Sequence, residues 1–193
     1  PSNTVVALVG DLKPETAFAV VEKYFGKIPA APRPDPMTTV EPEQFVEHSI
    51  TLRDKSQPIY IEGYHRPSYR DPDDAVYEVL SDILSQGRTS RLYRSLVRDK
   101  KIAAVAAGFS GLPGQKYPGL FTFFAIPVPG HTPQELAAAF HEQIDRIKNQ
   151  EVSDEELQMV KTRAKADLIR RLADNQGLAS QLAFYQTRFG DWR

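Results

Sequence analysis

The sequence predicts an α+β fold in which helices pack on one face of a mostly antiparallel sheet. Apolar or alternating patterns of strand length come in two pairs, at residues 48–53, 58–64, 102–109 and 119–128. This order lacks the regular strand–helix alternation of a parallel sheet. Two capping boxes, at residues 132–135 and 153–156, then predict two long amphipathic helices.

The first 36 residues are predicted to form a piece that is separate from the rest. An apolar run at residues 5–9 is typical of a buried strand, and Pro14 is placed to open a helix after it. The prolines of residues 29–36 exclude a continuing helix, because proline lacks an amide hydrogen and disfavours helical geometry in the residue before it. We therefore divide the chain into residues 1–36 and residues 37–193.

Helix-start and helix-stop signals organise the middle of the chain. Asp71 followed by Pro72 predicts an N-cap and a first helical residue, and Gly87 is placed to end that helix. Residues 90–99 carry apolar side chains at helical spacing and predict a second helix. Because the chain starts in a strand pattern and stops soon after a helical one, we expect an excised piece.

Composition narrows the classes of function. Lysine and arginine (24) balance aspartate and glutamate (25), so the sequence has no basic field to attract nucleic acid. The longest apolar runs are far shorter than the roughly 20 residues of a membrane span. With no cysteine, disulfide frameworks and thiolate metal sites are excluded.

Zinc-hydrolase motifs are not found in the sequence. Neither H-E-x-x-H nor H-x-x-E-H occurs, and two near matches, at residues 141–145 and 44–48, each lack one of the two histidines. We expect His141 to lie on a solvated helix face, and we assign His65, at a strand end, no role. The sequence therefore predicts no catalytic residue and no metal ligand in this chain.

Three ordered stretches resemble the insulinase (pitrilysin-like) zinc metallopeptidases. They are VGDL at residues 9–12, EKYFGKIP at residues 22–29 and GRTSRLYRSLVR at residues 87–98. The chain is most similar to the C-terminal, metal-free half of a bacterial member related to the mitochondrial processing peptidase. The resemblance implies that residues 1–36 are the closing strand and helix of the preceding half, and that residues 37–193 are a half domain truncated at its end.

The same resemblance implies a substrate-binding residue. Such half domains often carry an arginine and a tyrosine seven positions apart that hold the substrate backbone, and Arg98 matches the arginine. Val105 stands where the tyrosine is expected and has no hydroxyl, so the pair is broken. An arginine at a helix end also favours the helix dipole, and this alternative stays open for Arg98. The strand after Arg98 is apolar and suits either a peptide-lined groove or plain core.

We expect this chain to be the substrate-chamber portion of a zinc-dependent endopeptidase and to be inactive alone. Zinc would be bound by an H-x-x-E-H helix in the N-terminal half, which is the implied partner together with a peptide substrate and, in paired members, a homologous subunit. On the resemblance alone, the expected location is the periplasm or cell envelope. Two alternatives share the fold: a non-enzymatic core or scaffold subunit, and a peptide-binding module that acts alone.

Overall fold

The computed structural model describes residues 2–193. They form three β-strands, five α-helices and one π-helix. In chain order they are α1 (Pro14–Phe25), β1 (Tyr60–Arg66), α2 (Asp74–Ser85), a π-helix (Tyr93–Asp99), β2 (Ala103–Leu112), β3 (Gly119–Pro127), α3 (Pro133–Asn149), α4 (Asp154–Leu172) and α5 (Asn175–Phe189). None of the helices in the described range has the length and apolar composition that crossing a bilayer requires.

The sheet is antiparallel and has the order β1-β3-β2. Gly63 of β1 lies opposite Thr122 of β3, and Phe109 of β2 flanks Thr122 on the other side. Helices pack on one face of this sheet, so the predicted α+β class is confirmed. Phe123 and Phe140, which join β3 to α3, are among the largest fully buried side chains.

Two predicted strands are wrong. Residues 5–9 and residues 48–53 have no assigned strand, and the sheet has three strands where the sequence predicted four. Both segments have the apolar composition of strands, but a strand also needs a neighbour for its amide hydrogens and carbonyls. Ile50 and Leu52 instead remain strongly exposed.

The helix predicted to be capped by Asp71 begins two residues later than expected. Asp73 is the residue before α2 and makes no side-chain cap, while the Asp71 carboxylate accepts from the Asp73 amide in the preceding turn. The predicted end is confirmed, because Gly87 follows α2 with φ of +75°, a conformation that glycine adopts without strain.

The helix predicted at residues 90–99 is a π-helix over most of its length. The Lys100 amide donates to the Ser95 carbonyl, and the Ile102 amide donates to the Leu96 carbonyl. These wider turns end at Lys101, which has φ of +55° and is the non-glycine residue of the described chain with positive φ. Leu92 and Leu96 are fully buried under the sheet.

The last three helices differ in how their N-termini are capped. Thr132 and Glu135 form the complete predicted capping box of α3. At α4, Ser153 Oγ accepts from the Glu156 amide at 3.2 Å, as predicted. Asp174, which the sequence analysis did not single out, caps α5 by accepting from the Gly177 amide.

Arg66 anchors the end of β1 although it carries a buried charge. Its guanidinium contacts the carboxylate of Asp74 and donates to the Ser110 hydroxyl, and it lies 5.1 Å from the ring centre of Tyr77. A buried arginine is stable only when its donors are paired. This network therefore ties β1 to α2 and β2.

Contacts within the chain define two units. One contains residues 53–164, and with them the sheet, α2, the π-helix, α3 and the hydrophobic core. The other joins the N-terminal stretch ending at Leu52 to Lys165–Arg193. In this second unit neither α1 nor α5 has a buried residue.

Candidate functional site

Alternation along the strands separates a core face from an open face of the sheet. Phe121, Phe123 and Ala125 of β3 belong to the core cluster together with residues of α2, the π-helix and α3. Side chains at the intervening positions point to the other side, because successive strand residues alternate. The pairing register assigns to this open face Ile61, Gly63, His65, Val105, Ala107, Phe109, Leu112, Leu120, Thr122, Phe124 and Ile126.

The open face is apolar and partly accessible. Ile61 is 67% exposed, and Val105 and Phe109 are each 41% exposed. The rings of Phe109 and Phe124 lie 6.0 Å apart across the β2–β3 pair. No aspartate, glutamate, lysine or arginine is among the residues of this face. A contiguous apolar surface of this kind is typical of an interaction site.

Thr122 is the polar residue at the centre of the open face, and His65 lies at one end of it. Thr122 is 3% exposed, and its hydroxyl has no hydrogen-bonding partner among the described residues. Gly63 and Phe109 flank it on the neighbouring strands, and Leu120 lies over Gly63. Because the Thr122 hydroxyl is buried, it adds no polar group to the accessible surface of the open face.

Arg98 lies in the last turn of the π-helix, five residues before β2 begins. Its side chain is 55% exposed, and its Nε and Nη2 donate to the Asp99 carboxylate at 2.6 and 3.1 Å. That pairing raises the pKa of Arg98 and lowers the pKa of Asp99. The side chain therefore stays charged and accessible, and its assignment as a substrate-binding residue stays a prediction.

Val105 lies on the open face. It stands where the resemblance predicts the tyrosine partner of Arg98. A break in the pairing register between Ala103 and Val105 marks a bulge at the start of β2. Bulges re-aim the side chains beside them. The structure places Val105 at the margin of the apolar surface, with Ile126 as its partner on β3.

Side chains from α3 and α4 hold the π-helix region in place. Gln143, which is buried, donates from Nε2 to the Ser95 hydroxyl at 3.2 Å. Arg91 donates through two nitrogens to the two carboxylate oxygens of Glu156. That bond raises the pKa of Arg91 and lowers the pKa of Glu156. The segment that carries Arg98 is thereby fixed against the helical layer.

His141, which the sequence places near a zinc-like motif, pairs with a residue 79 positions away. Its Nε2 lies 3.1 Å from Oε2 of Glu62 on β1, and Tyr60 and Tyr64 both donate their hydroxyls to the same carboxylate. The side chain is half exposed, so the predicted solvated helix face is only part of its environment. This cluster attaches α3 to β1, and sequence spacing alone gave no signal for it.

The other histidines do not converge on a metal site. His48 lies in the irregular segment before β1, and His65 lies near the end of β1 on the open face. Across residues 2–193, no three histidine, cysteine, aspartate or glutamate side chains are grouped so that they could hold a metal ion.

Comparison with known proteins places this geometry in a family. The family described as Peptidase M16 inactive domain matches residues 1–164. The zinc protease PqqE of Helicobacter pylori is 26% identical over 194 aligned residues, which cover 96% of this chain and 42% of that protein. The chain thus spans about two fifths of that relative's length.

Solved structures share the architecture. A protease from Helicobacter pylori superimposes with a TM-score of 0.78 at 25% identity, covering 94% of this chain and 44% of that one. The inactive peptidase domain from Bordetella parapertussis gives a TM-score of 0.62 at 26% identity, with 73% of each chain covered. The resemblance to insulinase-like metallopeptidases is confirmed, and the chain belongs to the peptidase M16 inactive domain family.

Proposed function

We propose that this chain is the non-catalytic, substrate-chamber portion of a zinc-dependent endopeptidase. The observation that carries the proposal is the open face, a mainly apolar surface without aspartate, glutamate, lysine or arginine, on the side of the sheet away from the hydrophobic core. Family membership supports a role in peptide hydrolysis, since one relative is a zinc protease and the family is an inactive peptidase domain.

The zinc ion of such a peptidase would be held outside this chain. A catalytic zinc site takes about three protein ligands, and residues 2–193 contain no suitable group of them. We therefore assign no catalytic step to any residue described here. The isolated chain is expected to hydrolyse nothing, and an H-x-x-E-H helix in a preceding half would supply the metal site.

We infer that residues 1–36 belong to that preceding half, whose sheet would supply the hydrogen-bonding neighbour that residues 5–9 need to form a strand. The apolar run at residues 5–9 has no assigned strand in this chain, and α1 leaves Phe18 and Tyr24 largely exposed. An amphipathic helix gains stability by burying its apolar stripe. We infer that the zinc-bearing half supplies the surface against which α1 packs.

Arg98 is the residue proposed to contact the peptide. Its guanidinium is accessible, carries five donors and lies at the end of an anchored helical segment that leads into β2. Carbonyl and carboxylate oxygens of a peptide are suitable acceptors for these donors. The Asp99 carboxylate occupies two of the donors and competes with the substrate for them.

The test is cleavage of a quenched fluorescent peptide library. The chain and the full-length protein are assayed with zinc, with a chelator and with any homologous subunit. Zinc-dependent cleavage by the full-length protein alone, or by its pair with that subunit, supports the chamber role. Absence of cleavage in every combination would favour the scaffold alternative, and tight peptide binding without any cleavage would favour a stand-alone binding module.

A further inference from the structure

The chemistry of the open face distinguishes between classes of peptide side chain. Apart from the imidazole of His65 near the end of β1, its accessible side chains are aliphatic or aromatic, and none of its strand positions carries a carboxylate, ammonium or guanidinium group. A charged side chain placed against this surface would lose hydration without finding a partner, which is strongly unfavourable. A large apolar side chain would gain free energy in proportion to the area it buries.

The relief of β2 suits an extended segment. Val105 and Phe109 stand on either side of Ala107, whose methyl group leaves a low point between two larger side chains. The ring of Phe124 lies beside that of Phe109. Alternate side chains of an extended peptide recur every 6–7 Å, the same spacing as the side chains on one face of β2.

The size of the surface favours a short peptide over a folded partner. The exposed parts of its four most accessible large apolar residues, Ile61, Val105, Phe109 and Leu112, amount to roughly 400 Å², whereas one side of a standard protein interface buries about 800 Å². An extended segment of a few residues covers such a surface. A second copy of the chain or a packed domain would need a larger contact.

We propose that the open face binds an extended peptide segment with large apolar side chains at alternate positions, and that Ile61 and Val105 set this preference. This inference rests on the proposed chamber role, because it names the substrate class that the same surface accepts. The two residues stand on the outer strands β1 and β2, so they contact the segment from opposite edges of the same open face.

Binding is measured with the full 193-residue chain by fluorescence anisotropy. The labelled octapeptides alternate threonine with leucine, asparagine or glutamate. We expect the leucine peptide to bind at least tenfold more tightly than the other two, since each buried leucine adds about a tenfold preference. The double variant Ile61→Thr, Val105→Thr keeps β-branched side chains on the strands and should reduce leucine-peptide affinity about tenfold.

Val76→Thr is the matched control, because it makes the same change at an exposed position on α2. It should change affinity less than twofold, and circular dichroism should show all variants folded. The proposal is overturned by equal affinity for the three peptides, by no binding, or by unchanged selectivity in the double variant. It is also overturned if the chain self-associates and the double variant abolishes that association.

Cleavage by the full-length protein separates this inference from the proposed function. If it cleaves all three peptides equally, and the double variant slows them equally, the chamber role stands and apolar selection fails. If it cleaves none of them while the chain still binds the leucine peptide selectively, the protease role fails and the preference stands. Selective cleavage that the double variant makes indiscriminate supports both.

Discussion

Arg91 and Glu156 form a two-point ion pair between the segment leading into the π-helix and the first turn of α4. Arg91 Nε lies 3.0 Å from Oε1 of Glu156, and Nη2 lies 2.7 Å from Oε2. Both side chains are mostly shielded from solvent. Glu156 therefore takes part in two interactions. Its carboxylate accepts from Arg91, and its backbone amide donates to the Ser153 hydroxyl of the predicted capping box.

Replacing Glu156→Gln should lower the free energy of unfolding by about 1 kcal/mol at pH 7, the size expected for a partly buried charged hydrogen bond. Arg91 holds the pKa of Glu156 below its ordinary value of 4.5. A lowered folded-state pKa stabilises the protein above that ordinary value, and the contribution is lost as the pH falls through the folded-state pKa.

Urea denaturation from pH 7 to pH 3 checks this prediction. The difference between wild type and Glu156→Gln should be full at pH 7 and should shrink below about pH 4.5. Glu155→Gln, an exposed residue in the same turn, is the control and removes the same charge from the helix N-terminus. If the two variants were equally destabilised, the stabilisation by Glu156 would come from its charge at the helix N-terminus and not from its contact with Arg91.

Thr122→Val should stabilise the chain by about 1 kcal/mol. The hydroxyl is buried without a hydrogen-bonding partner, and valine removes it while keeping the branched shape. Thr122→Ser keeps the hydroxyl, loses the methyl group and should be destabilising. Thermal and urea unfolding measure both changes. A destabilised valine variant would show that the hydroxyl makes a favourable interaction.

Gly108→Ala should destabilise the chain by roughly 1–3 kcal/mol, the usual cost of overpacking. A Cβ at this position would lie 2.5 Å from Cδ1 of Phe123 and 2.8 Å from Oγ of Ser85. Gly114→Ala is the matched control, since no atom lies within 4 Å of its added Cβ. Urea denaturation compares the two, and equal stabilities would mean that Phe123 moves aside freely.

Local sequence patterns predicted those elements whose determinants are close along the chain. The capping box at Thr132 and the strand pattern of residues 119–128 are complete within a few residues, and both elements are present in the structure. The strand predicted at residues 48–53 has the same local pattern but no hydrogen-bonding neighbour. Local alternation indicates which faces are apolar, and it does not indicate which strand lies alongside.

The candidate site shows the same limit. The apolar character of residues 103–110 was evident, but which side chains face away from the core depends on the register with β3. The contact between His141 and Glu62, and the π-helical turns ending at Lys101, depend on packing between segments that are distant in sequence. Such contacts could not be read from spacing.

Lys101→Gly should stabilise the chain by about 0.5–1 kcal/mol. Lys101 has φ of +55°, where a side chain costs about 1–2 kcal/mol and glycine is unstrained, although glycine also loses more entropy on folding. Lys100→Gly is the control, because Lys100 has a right-handed helical φ of −76° and should be destabilised. Urea denaturation distinguishes them, and a loss of stability in both would mean that strain at Lys101 is negligible.

Under the proposed chamber role, Arg98→Ala should slow peptide cleavage by the full-length protein about tenfold or more, the loss expected when one charged hydrogen bond to the substrate is removed. Its melting temperature should not change, because Arg98 is exposed and its partner Asp99 is exposed as well. Asp99→Asn is the informative companion. It releases the guanidinium from a competing carboxylate, so cleavage should be retained or faster.

The two variants together distinguish the roles that the sequence left open for Arg98. If the arginine only favours the dipole of the helical segment, Arg98→Ala lowers stability and leaves kcat/KM unchanged. If it holds the substrate, kcat/KM falls at constant stability, and Arg98→Lys recovers only part of the loss because an ammonium is a flexible point charge and not a preorganised planar donor. Unchanged kcat/KM in Arg98→Ala would remove Arg98 from the substrate-binding surface.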